Sequence, residues 1–87
     1  MEGAGGAGVP RRAVLRVERK GRGGKTATVI THLGLEGDAL AAFGRELRTA
    51  MGCGGQVEGD ALVLQGDQRE RAAAWLEGRG VRKVTRS

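Results

Sequence analysis

The sequence predicts an α+β fold, a two-layer sandwich with two helices packed on one face of a single mixed sheet of four or five strands. Three observations predict it. Residues 13, 15 and 17 are apolar while 16 and 18 are charged, the period-two pattern of a half-buried strand. Leu40, Phe43, Leu47, Ala50 and Met51 recur at helical spacing and make one apolar stripe. Residues 56–58 and 61–65 flank Gly59-Asp60, two short strands joined by a two-residue reversal. The element order is then β-β-α-β-β-α-β. Helices with one apolar stripe and strands with one apolar face bury their surfaces most economically as two layers, and crossovers between parallel strands are expected to be right-handed.

Each element has a local reason. Strand one covers 13–19, with Val14 the single break in its alternation. Residues 26–33 are rich in β-branched side chains and read as strand two, so 20–25, with three glycines, is the loop of a first hairpin. Gly34-Leu35-Glu36-Gly37 is a turn, and Asp38 is placed to N-cap the first helix, which runs to Gly52. Gly54 and Gly55 allow a sharp turn into strand three. Gly59 at the first central position favours a primed hairpin turn, returning 61–65 antiparallel with Leu62 and Leu64 inward. Asp67 is expected to cap the second helix and Glu70 to close a capping box, the helix running from Gln68 to about Arg79 with Ala72, Ala73, Trp75 and Leu76 inward. Gly80 suits a left-handed C-cap, and Val81 and Val84 suggest a short last strand. The second sheet face is expected to carry Arg16, Glu18, Thr26 and Thr28.

The 87 residues suit one small domain at 10–87, preceded by a flexible glycine-rich tail at 1–9 that lacks a signal-peptide pattern. Such a domain buries only about 60% of its unfolded surface and has little stability to spare. One cysteine excludes an internal disulfide, no Cys/His cluster suits zinc, and no apolar run is long enough for a bilayer, which together fit a cytoplasmic protein. Neither a cofactor nor a metal is expected.

Charge is the first indication of a partner. Residues 10–25 hold seven cations (Arg11, Arg12, Arg16, Arg19, Lys20, Arg22 and Lys25) against Glu18, a net of +6. The last ten residues add Arg79, Arg82, Lys83 and Arg86 with no acid, whereas 26–77 holds four cations and eight acids. Positive charge concentrated on one loop and one terminus points to a polyanion rather than to solubility alone. With only Phe43 and Trp75 as aromatics, both at core-like helical positions, stacking platforms for single-strand reading are absent. Arginine and lysine contacts to phosphates of a preformed shape remain.

The chemistry of an enzyme does not assemble. Gly24-Lys25-Thr26 ends like a phosphate-binding loop, but Arg19 stands where that motif needs glycine, and a strand rather than a helix follows. Ser87, His32 and Cys53 are each the sole residue of their type, and nothing in the spacing makes a nucleophile, base and orienter of them.

Four segments together resemble the eukaryotic translation initiation factor 1 family, in its short form found in bacteria and archaea: Lys20-Gly-Arg-Gly-Gly-Lys25 running into Thr-Ala-Thr-Val-Ile-Thr-His-Leu-Gly-Leu35, a Leu-rich helix, Gly52-Cys-Gly-Gly55, and Leu64-Gln-Gly-Asp-Gln-Arg69. The resemblance spans roughly 13–84 and implies the same two-layer fold. It also implies a non-catalytic protein that binds the small ribosomal subunit near the peptidyl site and influences start-codon and initiator tRNA selection. Carried over by position, Arg19, Lys20, Arg22 and Lys25 on the loop and Arg45 and Arg48 on the first helix are the implied RNA contacts, with Arg69 and Arg71 on the second helix as further ones. Partners would be ribosomal RNA, initiator tRNA and messenger, with no membrane or small-molecule substrate and the chain acting as a monomer. The short glycine-rich start and the few cations of the first helix depart from the eukaryotic pattern and imply a weaker grip. The alternative is a non-catalytic protein-interaction module that uses the open sheet face or the Cys-Gly-Gly turn.

Overall fold

The computed structural model describes residues 10–19 and 25–86. Its elements follow the expected order: β1 (Arg12–Arg19), β2 (Thr26–Thr31), α1 (Gly37–Met51), β3 (Gly55–Glu58), β4 (Ala61–Gln65), α2 (Arg69–Gly78) and β5 (Lys83–Arg86). The expected tail at 1–9, Ser87, and the loop centre with Lys20 and Arg22 lie outside the described residues.

One five-stranded sheet forms in the order β3-β4-β2-β1-β5. It is mixed: β1 is antiparallel to β2 and parallel to β5, while β4 is antiparallel to both β2 and β3. It follows that β2 and β3 run parallel, as do β4 and β5. Each of these pairs is joined through a helix, the connection a parallel pair requires. The core lies between sheet and helices, where Ala13, Leu15, Ile30, Leu62 and Leu64 meet Leu40, Phe43, Leu47 and Met51 of α1 and Ala72, Ala73 and Leu76 of α2. Trp75 is half-buried and meets Phe43 edge to face, with centroids 5.4 Å apart. Ala50, expected in the apolar stripe of α1, is exposed.

Strand pairing corrects one expectation about the faces. Residues directly opposite across a ladder share a face, and Val17 pairs with Thr28 and Arg19 with Thr26. Both threonines therefore lie on the helix side, not on the open face with Arg16 and Glu18. The second strand also stops short of Leu33. His32 has φ +63°, outside the β region, and its Nδ1 lies 2.8 Å from Thr31 Oγ1.

Helix ends are settled by different partners than local sequence indicates. The first helix starts one residue before Asp38, at Gly37, with Glu36 as its N-cap and no side-chain cap bond. The expected capping box at the second helix is absent. Gln68 is the cap residue, Asp67 Oδ1 accepts from the Arg69 amide at 3.3 Å, and Glu70 reaches toward Arg86 at 3.5 Å. The C-terminal expectation holds: Gly80 has φ +99°, its amide donates to Glu77 O, and the Val81 amide donates to Leu76 O, a Schellman pair. At the hairpin, Glu58 pairs with Ala61, and φ is positive at Gly59 (+61°) but not at Asp60, which fits the II′ turn.

Two glycines sit where a neighbour approaches closely, and only one of them meets backbone. Gly54 and Gly55 do not make the turn into β3; the left-handed residue there is Gly52, φ +67°. A β-carbon on Gly55 would instead collide with the Val63 carbonyl oxygen across the ladder. Gly44, buried on α1, lets that helix approach β4, and a β-carbon there would lie 2.8 Å from Leu62 Cδ2. The obstacle at Gly44 is the tip of a flexible side chain, so Gly44→Ala should cost about 1 kcal/mol or less, since overpacking is offset by better helix propensity. Chemical denaturation measures it.

Candidate nucleic-acid interface

Several chain segments meet at the end of the sheet where β1 finishes and β2 begins. Arg19 pairs with Thr26 across the root of the first hairpin. The Gly66 amide donates to Thr26 O at 2.8 Å, which brings the β4–α2 connection against that root. Gln65 N donates to Gly54 O at 2.9 Å, adding the α1–β3 connection, and Arg71 Nη2 donates to Met51 O at 3.2 Å, joining α2 to the end of α1. Arg19, Lys25, Arg48, Arg69 and Arg71 thus gather near one end with Asp67 and Glu70, although they come from separate parts of the chain.

Their surroundings differ. Arg19 and Lys25 are exposed at the root of the loop. Arg69 forms a two-point pair with Asp67, Nε to Oδ1 at 3.1 Å and Nη2 to Oδ2 at 3.1 Å. That guanidinium, then the Arg69 amide and more weakly the charge of Arg19, hold the Asp67 carboxyl below its ordinary range, and Asp67 in turn raises the Arg69 guanidinium. A depressed carboxylate stabilises the fold above its unfolded value and loses that contribution as pH falls through the native value. The stability difference between wild type and Asp67→Asn should therefore shrink as pH drops below about 3.9, the ordinary aspartate value. Urea melts across the acid range check this.

Arg48 is half-buried. Its Nη1 donates to Gly55 O at 3.0 Å and occupies an outward carbonyl of the edge strand β3, so one of its five donors has a structural task. Arg45 lies one turn further from the basic end and is exposed beside an open groove between the helices, lined also by Glu46, Thr49, Ala50, Trp75 and Arg79. In that groove Arg79 sits 5.0 Å from the Trp75 ring centroid and pairs with Glu46. Sequence reading missed this arrangement, as well as the buried Thr28 beneath the basic end; neither has a local signal.

Among the described residues no group of three or more His, Cys, Asp or Glu side chains could hold a metal ion, and no helix is long and apolar enough to cross a membrane. His32 is exposed at the end of β2, and Cys53 is half-buried against the core.

A family profile described as translation initiation factor SUI1 matches residues 10–82, which contain the first four strands and both helices. The chain belongs to the SUI1 family. Among relatives, the protein YciH of Escherichia coli is 35% identical over 71 residues, covering 79% of this chain and 66% of YciH. A Synechocystis protein is 38% identical over 66 residues, covering 76% and 60%. A protein of the archaeon Ignicoccus hospitalis, named protein translation factor SUI1 homolog, is 33% identical over 66 residues, covering 76% and 62%. The chain spans slightly less than two thirds of the length of these relatives. SUI1 membership agrees with the family resemblance read from the four sequence segments, and with the two-layer fold.

Proposed function

We propose that this SUI1-family protein binds the small ribosomal subunit through contacts to the ribosomal RNA backbone and influences start-codon and initiator tRNA selection, without catalysing a reaction. The observation that carries the reading is the convergence of the hairpin root, the β4–α2 connection and the end of α1 on one basic end. A cluster that gathers cations from distant parts of the chain recognises phosphates by position, and the scarcity of aromatics leaves shape rather than base identity to be read. Arg19 and Lys25, with Lys20 and Arg22 between them in sequence, form the leading contacts. Arg69, Arg71, Arg45 and Arg48 flank them, with Arg48 and Arg71 each also donating to a backbone carbonyl and Arg69 paired with Asp67. The protein acts in the cytoplasm as a monomeric domain spanning 10–87.

Co-sedimentation with purified small and large ribosomal subunits tests the reading. Binding to small subunits that falls steeply between about 50 and 200 mM salt is expected, because each phosphate contact releases a counterion. No association with small subunits at moderate salt, together with capture of a protein partner, would favour the interaction module instead.

A further inference from the structure

Thr28 is the one buried polar side chain among the described residues, at 0% exposure. It sits on the helix face of the central strand β2, opposite Val17 of β1 and Leu64 of β4. Valine would fill that volume equally well, so packing does not explain the hydroxyl. Its hydrogen bonds do. Oγ1 donates to Gly66 O at 2.7 Å and accepts from Gln68 N at 2.8 Å, reaching two backbone groups of one turn that lie 38 and 40 residues away in the chain.

Those bonds act where the basic end is assembled. Gln68 is the N-cap of α2 and lacks a side-chain cap bond, so the Thr28 hydroxyl serves as a cap supplied from the sheet. The Gly66 amide is held two residues earlier on the same strand, at Thr26 O. Three hydrogen bonds from Thr26 and Thr28 therefore fix residues 66–68 against β2. Asp67 and Arg69 are carried by that turn, and Thr26 is also the residue paired with Arg19 at the loop root. The loop root and the 66–69 turn are thereby locked in one register. Asp67 is close enough to Arg19 for that charge to lower its carboxyl pKa.

We propose that Thr28 is a positioning residue for the RNA-directed surface: its buried hydroxyl clamps the 66–68 turn so that Arg69 and the loop-root cations Arg19 and Lys25 present a single surface. This rests on the function proposed above. A hydroxyl in this role contributes to affinity through geometry, since phosphate contacts add up only when they are simultaneously in reach.

The test compares Thr28→Val, which keeps the volume and removes the hydroxyl, with Thr28→Ser, which keeps the hydroxyl and leaves a methyl-sized gap. Both are assayed for small-subunit binding well below their melting temperatures, with circular dichroism confirming the fold. If Thr28→Val does not fold, Thr28→Ala takes its place as the hydroxyl-deleted variant. The expected result is an affinity loss of about fivefold to tenfold for the hydroxyl-deleted variant, a salt slope shallower by about 1, and recovery to within about twofold in Thr28→Ser. Amide exchange at Gln68 should accelerate in the valine variant alone. Wild-type binding that the valine variant matches would overturn the clamp while leaving the ribosomal reading intact. Equal losses in the valine and serine variants would assign Thr28 to stability only. Absence of wild-type binding would overturn both.

Discussion

Replacing Arg19, Lys20, Arg22 and Lys25 together by alanine is expected to lower affinity for the small ribosomal subunit by about two orders of magnitude at 100 mM salt and to flatten the salt slope by about 3 to 4, one for each phosphate no longer neutralised. The melting temperature should stay near that of wild type. Arg19 and Lys25 are exposed, and the charge of Arg19 acts on Asp67 only weakly, so removing these surface charges changes stability little. A filter-binding or sedimentation titration over several salt concentrations measures both affinity and slope. Unchanged binding by the folded quadruple variant would remove the loop from the interface and leave the helix cations to account for the affinity.

The second large effect is on the fold. Gly55→Ala is expected to destabilise by about 3 kcal/mol or more, because the new β-carbon meets the Val63 carbonyl oxygen, part of the sheet backbone rather than a movable side chain. Relief requires β3 to move off β4. That movement would also break the bond from Arg48 Nη1 to Gly55 O and loosen α1 from the sheet edge. For a chain of this size the loss corresponds to a melting temperature lower by about 12 to 24 °C. Thermal melts followed by circular dichroism decide it; a shift of only a few degrees would show that β3 tolerates the atom. The contrast with Gly44→Ala, where the obstacle is the Leu62 Cδ2 methyl rather than main chain, separates a backbone obstacle from a side-chain one.

These two variants divide the Cys-Gly-Gly segment from the basic loop. Gly55 has a sufficient structural reason to be glycine, and Cys53 packs against the core. Neither residue needs a partner to explain it, whereas Arg19 and Lys25 at the loop root are exposed and have no packing role in the core.

The features legible in sequence were those decided by neighbours along the chain. The alternation through Ala13, Leu15 and Val17, the spacing of Leu40, Phe43 and Leu47, the Gly59-Asp60 reversal and the Gly80 cap depend on residues within a turn or two, and each stands in the structure. What local reading got wrong depends on pairing. Thr26 and Thr28 look like solvent-facing strand residues until the register with Arg19 and Val17 places them on the helix side. The Asp67 and Glu70 box is sound local chemistry, yet the amide of Gln68 is taken by Thr28 from 40 residues away, and Glu70 turns toward Arg86 instead. Gly54-Gly55 reads as a turn because glycines usually make turns, while the constraint on Gly55 is the approach of a strand that no local window contains.

The candidate site follows the same division. Its loop cations were visible as a run of charge, but their meeting with Arg69 and Arg71 requires the hydrogen bonds from Gly66 to Thr26 and from Arg71 to Met51. Arg48 illustrates the reverse. Its place on α1 suggests an RNA contact, and its bond to Gly55 O gives it a second task in holding the sheet edge.

The central claim is that the basic end faces ribosomal RNA, and site-specific photocrosslinking addresses it most directly. Lys25, at the loop root, and Asp60, in the β3–β4 turn, lie at opposite ends of the central strands. With a photoreactive residue at position 25, small-subunit RNA should be crosslinked in a salt-sensitive manner, and the same probe at position 60 should give little or none. Crosslinking from position 60 that equals or exceeds that from position 25 would contradict the orientation proposed for the basic end.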